Sequence, residues 1–165
     1  MKPELQQELD ALLKAYDQKQ HAQEIKDQDI KAEEEKFLES FYSVRDSIIA
    51  PALEELGEIV KARGHGFEIE KRDYSIDSKG RTDNAMIAIV FIPGGSRSGY
   101  YAERYRYPSL GFTCDRHKEV VALHGSTLRP LGGGSLGPRG ECKLEQITTD
   151  FIHAQAFEIL KEVFK

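Results

Sequence analysis

The sequence is poor in cysteine, in long apolar runs and in recognisable catalytic spacings, and each shortage excludes something. Its 165 residues hold two cysteines, Cys114 and Cys142. That is too few for the disulfide framework of a small secreted fold and fits a reducing compartment, with the thiols packed as small apolar groups. The longest apolar run, AMIAIVFIP at residues 85–93, has the length of a strand and falls well short of the roughly eighteen residues that span a bilayer. The opening MKPELQQELD lacks the hydrophobic stretch of a signal peptide. The expectation is a cytoplasmic protein that does not associate with membranes.

H-E-x-x-H does not occur, and the G-x-S-x-G spelled by residues 133–137 around Ser135 leads into Pro138 and a strand rather than a helix, so neither the zinc-protease signature nor the strand-to-helix elbow of the hydrolases is expected. The histidines at 21, 65, 117, 124 and 153 are scattered. Cys114 and His117 form C-x2-H, half of a zinc site or a weak nucleophile pair, but a structural zinc site needs four ligands. His124 and Cys142 would have to complete it from unpaired positions. No metal, no cofactor and no catalytic residue is therefore expected.

What the sequence does have is asymmetry. Residues 1–62 carry 8 Lys and Arg against 15 Asp and Glu, a net −7; residues 63–140 carry 12 against 8, a net +4; residues 141–165 carry 3 against 5, a net −2. An acidic segment thus precedes a mildly basic one, which permits arm-to-body association between chains or an anionic ligand on the body.

Periodicity follows the same division. Pro3 suits the first turn of a helix, where its missing N–H costs nothing. Leu5, Leu9, Leu12, Leu13 and Tyr16 recur at helical spacing. HAQEIKDQDIKAEEE, residues 21–35, is almost wholly polar and offers no face wide enough for a core. Phe37, Phe41, Val44 and Ile48 then restore an apolar stripe. Pro51 should kink or restart the helix, PALEELGEIVKARG continues it, and Gly64 is a natural stop. Beyond Gly64 the period becomes two. GFEIEKRDYSI (66–76), AMIAIVFI (85–92), SLGFTCD (109–115), EVVALHGS (119–126) and ECKLEQI (141–147) read as strands, the third and fourth joined by the polar turn DRHKE. Thr148 or Thr149 caps a last helix whose apolar face carries Phe151, Ile152, Phe157, Leu160, Val163 and Phe164.

The expected fold is α+β: a long N-terminal helical arm (hairpin or coiled), an antiparallel sheet of about five strands, and a C-terminal helix packed on the sheet. Residues 1–36 form the acidic arm and 37–165 the α+β domain. Ile87, Ile89, Val121, Leu123, Phe157 and Leu160 are the expected core between sheet and C-terminal helix.

Two loops hold the candidate binding residues. PGGSRSGYYAERYRYP, residues 93–108, interleaves Tyr100, Tyr101, Tyr105 and Tyr107 with Arg104 and Arg106, with Arg97 upstream. Tyrosine and arginine suit a protein interface, and rings with guanidinium groups also suit single-stranded nucleic acid. The second loop lies within STLRPLGGGSLGPRGECKLEQIT, residues 126–148, which contains five of the fourteen glycines with Arg129 and Arg139 to either side of the triple-glycine run. Gly132 and Gly137 have the separation of a phosphate-binding loop, but Pro138 follows and a strand comes next, so the helix N-terminus that would hold a phosphate is not expected. The glycines are read as turning the chain. The sites expected for a ligand or partner are Arg97, Tyr100, Tyr101, Arg104, Tyr105, Arg106, Arg129 and Arg139.

These observations favour a non-enzymatic cytosolic adaptor or scaffold that self-associates, at least as a dimer, through its helical arm. Two alternatives stand beside it: a nucleic-acid-binding module using loop 93–108, against which the acidic arm argues, and an enzyme or sensor holding a small anionic or phosphorylated ligand at the Gly- and Arg-rich loops.

Overall fold

The computed structural model describes residues 1–95, 106–129 and 132–165. Helix α1 runs unbroken from Pro3 to Val44, so the arm is one continuous helix rather than a hairpin. A π-helical turn, Arg45–Ile49, leads directly into α2, Ala50–Ala62. The Ala50 N–H donates to the Arg45 carbonyl, five residues back. Pro51 has no N–H to offer Ser47, and the wider turn just before it carries the chain onward where a kink or restart was expected. Gly64 (φ +88°) turns the chain out of α2, and its N–H donates to the Lys61 carbonyl at 3.0 Å.

Among the described residues, seven strands follow. They are β1 Gly66–Arg72, β2 Ser75–Ile76, β3 Thr82–Asp83, β4 Met86–Ile92, β5 Ser109–Asp115, β6 Val120–Ser126 and β7 Leu136–Cys142. β2 and β3 pair as a small hairpin, and the other five form one antiparallel sheet in the order β1-β4-β5-β6-β7. The last helix, α3 (Thr149–Val163), is capped at Thr148, whose Oγ1 accepts from the Phe151 N–H at 3.1 Å. This is the α+β arrangement expected.

Two strand boundaries differ from the sequence reading. The segment 66–76 breaks after Arg72, so β2 pairs only with β3. The fifth sheet strand is 136–142 and not 141–147: Lys143 begins a 3-10 turn, Leu144–Gln146, in which the Gln146 side chain accepts the Lys143 N–H at 2.8 Å. The Gly- and Pro-containing LGPRGEC forms the strand because it lies at the sheet edge, where Pro138 disturbs least, and because a bulge opposite Leu123 and His124 absorbs the irregularity.

The chain divides into two compact units, Met1–Lys36 and Phe37–Lys165. The core belongs to the second. Phe41, Ile49 and Leu53 from the helices meet Ile87, Ile89, Phe91, Leu110, Phe112, Val121 and Leu123 from one face of the sheet. α3 closes this core with Ile152, Ala156 and Ile159, all fully buried. Phe157, expected inside, is 60% exposed. One residue of helix turns about 100°, so a helix seated on Ala156 points Phe157 outward, where the Lys161 ammonium lies 5.3 Å from its ring centroid. Leu160 is partly buried against the core. α2 and α3 run parallel: His153 Nε2 lies 3.5 Å from a Glu55 carboxylate oxygen, and one helix end later the His65 and Phe164 rings are 4.7 Å apart.

Candidate functional site

Three surfaces carry the candidate chemistry. The first is on α1. Leu5, Leu9, Leu12, Leu13 and Tyr16 are between 42% and 67% exposed. At about 100° per residue, Leu5, Leu9, Leu12 and Tyr16 fall within an arc of roughly 60°, and Leu13 widens it to roughly 100°. A solvated helix gains nothing from such a stripe. Lys19, Gln23 and Lys26 continue the same line along the helix, so the apolar part ends after Tyr16.

The second surface comprises the two loops. Arg97, Tyr100, Tyr101, Arg104 and Tyr105 lie outside the described residues. Arg106 is exposed. Tyr107, at its side, is buried against Val90 and Ile92, so one tyrosine of the motif covers the sheet. In the glycine-rich loop the backbone donors are largely committed. The Thr127 N–H donates to the Ser135 carbonyl at 2.8 Å, the Ser135 N–H to Thr127 Oγ1 at 3.0 Å, and the Gly132 N–H to the Arg129 carbonyl at 2.9 Å. Gly132, Gly133 and Gly134 all have φ near +90 to +105°, a region that only glycine enters freely. A Cβ on Gly134 would also collide with the Thr127 carbonyl. The run turns the chain, as the sequence suggested.

The two described arginines of this loop diverge in role. Arg129 Nη2 donates to the Glu162 carbonyl at 3.0 Å, where it satisfies a last-turn acceptor of α3 and opposes the negative end of the helix dipole. Arg139 lies across Gly125, whose missing side chain makes room for it, and lines a shallow cleft with Ser135 and Pro138.

The cysteines are structural in setting. Cys114 is fully buried, and burial pushes its thiol up to about 12; Arg116 lowers it slightly and Asp115 raises it. Burial raises the Cys142 thiol too. A thiol held protonated at neutral pH is a poor nucleophile. Among the described residues, no group of three or more His, Cys, Asp or Glu side chains is placed to hold a metal.

The third surface was not singled out from the sequence. Residues alternate across a strand, so if Ile87, Ile89 and Leu110 face the helices, their neighbours face the other way. The register then sets rows across that open face. Glu70, Ala88, Gly111 and His124 form the middle row. Arg72, Met86 and Thr113 lie on one side of it, and Val90 and Ser109 on the other. Together with Tyr107 and Leu136 they enclose a groove of about 610 Å³. AMIAIVFI and SLGFTCD read as apolar strands, and that hides the methyl group of Ala88 and the bare backbone of Gly111, which make the floor of the groove. Only the pairing of four strands brings Glu70 and His124 into one row, which Pro138 of β7 continues.

Compared with protein-family models, curated proteins and solved structures, the chain matches none.

Proposed function

We propose that the protein is a non-enzymatic scaffold or adaptor of the cytosol whose copies associate, at least as dimers, through the N-terminal helix. One observation carries this reading: the apolar stripe from Leu5 to Tyr16 is exposed over its whole length. Fully burying an exposed leucine side chain stabilises by about 1.5–3 kcal/mol, these half-exposed side chains gain a share of that, and the same stripe on a second copy offers the matching surface. Two stripes laid together bury on the order of 800 Å², less than the roughly 1,200–2,000 Å² of stable interfaces. Association is therefore concentration-dependent. The lysines at 19 and 26 confine it to the first four turns, because stacking them in the seam would place like charges together.

Analytical ultracentrifugation over a wide concentration range tests this. The intact chain should sediment as a dimer or larger at high micromolar concentration, and the double substitution Leu9→Asp/Leu12→Asp should shift it to monomer with unchanged sheet signal in circular dichroism. A compact monomer at every concentration would refute the reading.

A further inference from the structure

We propose that the groove on the open face of the sheet is a binding site for a free, uncharged, planar nitrogen heterocycle of one or two rings. The floor is flat and low. Ala88 is 7% exposed and Gly111 is buried, although both positions lie on the face away from the helices. A Cβ on Gly111 would lie 3.5 Å from that of Ala88, an ordinary contact, so the absence of a side chain at 111 is not forced by crowding from Ala88. It leaves space. Glu70 and His124 stand three strands apart in the same row, about 14 Å between backbones at the usual strand spacing. Both side chains line the groove, so the space between them is narrower than the backbone separation and suits a small ring system.

The rim sets the chemistry of the edges. Glu70 accepts hydrogen bonds, the Ser109 and Thr113 hydroxyls donate and accept, and the His124 imidazole does one at each nitrogen. A carboxylate has about four acceptor positions, so the contacts Glu70 makes within the protein leave it able to accept from a ligand too. An apolar floor under a rim of mixed donors and acceptors matches a molecule with apolar faces and polar edges. The volume lies within the usual range of small-molecule sites, roughly 300–1,000 Å³. Charge narrows the class. Of the acidic and basic side chains that line the groove, Glu70 and Arg72 are one of each sign, so the site offers no net charge to an ionised group and the free, neutral heterocycle is preferred.

The probe is 2-aminopurine, whose fluorescence is read without interference because the chain has no tryptophan. Titrating the full chain should give a saturable change with Kd on the order of 10–100 µM. Gly111→Val, a good strand former that stands in the groove, should weaken binding about tenfold or more, while Leu9→Asp/Leu12→Asp should leave it unchanged. Should Gly111→Val alter the circular dichroism, Ser109→Ile on the groove wall is read instead and should weaken binding likewise. No saturation by about 1 mM overturns the proposal, as does wild-type affinity in the folded groove variant. Binding of 2-aminopurine only within a single-stranded oligonucleotide also overturns it, since the surface would then take nucleic acid.

Discussion

Arg45 shows how much one buried charge organises. It sits in the π-helical turn, 4% exposed. Its Nη1 donates to Asp73 at 2.7 Å and to the Arg72 carbonyl at 3.1 Å, its Nε donates to Asp46 at 3.0 Å, and its guanidinium lies 4.7 Å from the Tyr42 ring centroid. Asp46 and Asp73 are themselves more than half exposed, so losing Arg45 returns them to water and leaves no stranded charge. Arg45→Met should then cost about 1–3 kcal/mol in urea unfolding, less than the 3–5 kcal/mol of a pair buried on both sides. Hydrogen bonds from Lys71 and then Arg45 hold the Asp46 carboxyl below its ordinary 3.8. A depressed folded-state pKa stabilises above the unfolded value and is lost as pH falls through the folded one. Arg45→Met should therefore flatten the acid limb of the stability–pH curve. Cys114 has the opposite sign. Its raised pKa, about 12 against 9.0, keeps its contribution intact below pH 9 and withdraws it as pH climbs towards 12. Neither thiol should react with a disulfide reagent in the native protein at pH 8, and both should react in urea; prompt native labelling of Cys114 would contradict its burial.

For the elements, α3 is the instructive case. Its sequence has apolar residues on more than one side, and the larger ones suggest the wrong face. The packing surface includes the small Ala156, which lets the helix approach the sheet closely with Ile152 and Ile159 to either side. Ile159→Ala should lower stability by about 2–5 kcal/mol, whereas Phe157→Ala should stay within about 0.5 kcal/mol of wild type; the reverse order in chemical denaturation would mean the helix is rotated. A second test concerns the contact of α2 with β1. A methyl group on Gly57 would overlap the Phe67 ring. Helix propensity alone favours Gly57→Ala by roughly 1 kcal/mol, yet the clash should make it destabilising. A rise in Tm would show that Phe67 can swing away.

For the whole molecule, the separation of an acidic helix from a sheet-bearing unit decides which experiments are informative. Every buried core residue lies at Phe41 or beyond. Deleting residues 1–30 should therefore leave the unfolding transition of the remainder close to that of the full chain while weakening the self-association proposed above. A large loss of stability would mean that the first unit contributes to the core of the second. Among the described residues, no helix is long and apolar enough to cross a membrane.

The helix 3–62, the antiparallel order and the cap at Thr148 were legible because each rests on local rules: a period of 3.6, a period of two, a hydroxyl before an acidic first turn. The apolar stripe on α1 was legible for the same reason, since Leu5 to Tyr16 meets a purely local criterion; its exposure came only from the structure. The limits of β7 were not, because glycine and proline weaken a strand unless it lies at an edge, and edge position is a property of the sheet. The outward turn of Phe157 depended on which face of α3 met the sheet, and the size of Ala156 decided that. The groove depended on register: Glu70, Ala88, Gly111 and His124 are spread over 54 positions of chain, and only hydrogen-bond pairing across four strands sets them in one row.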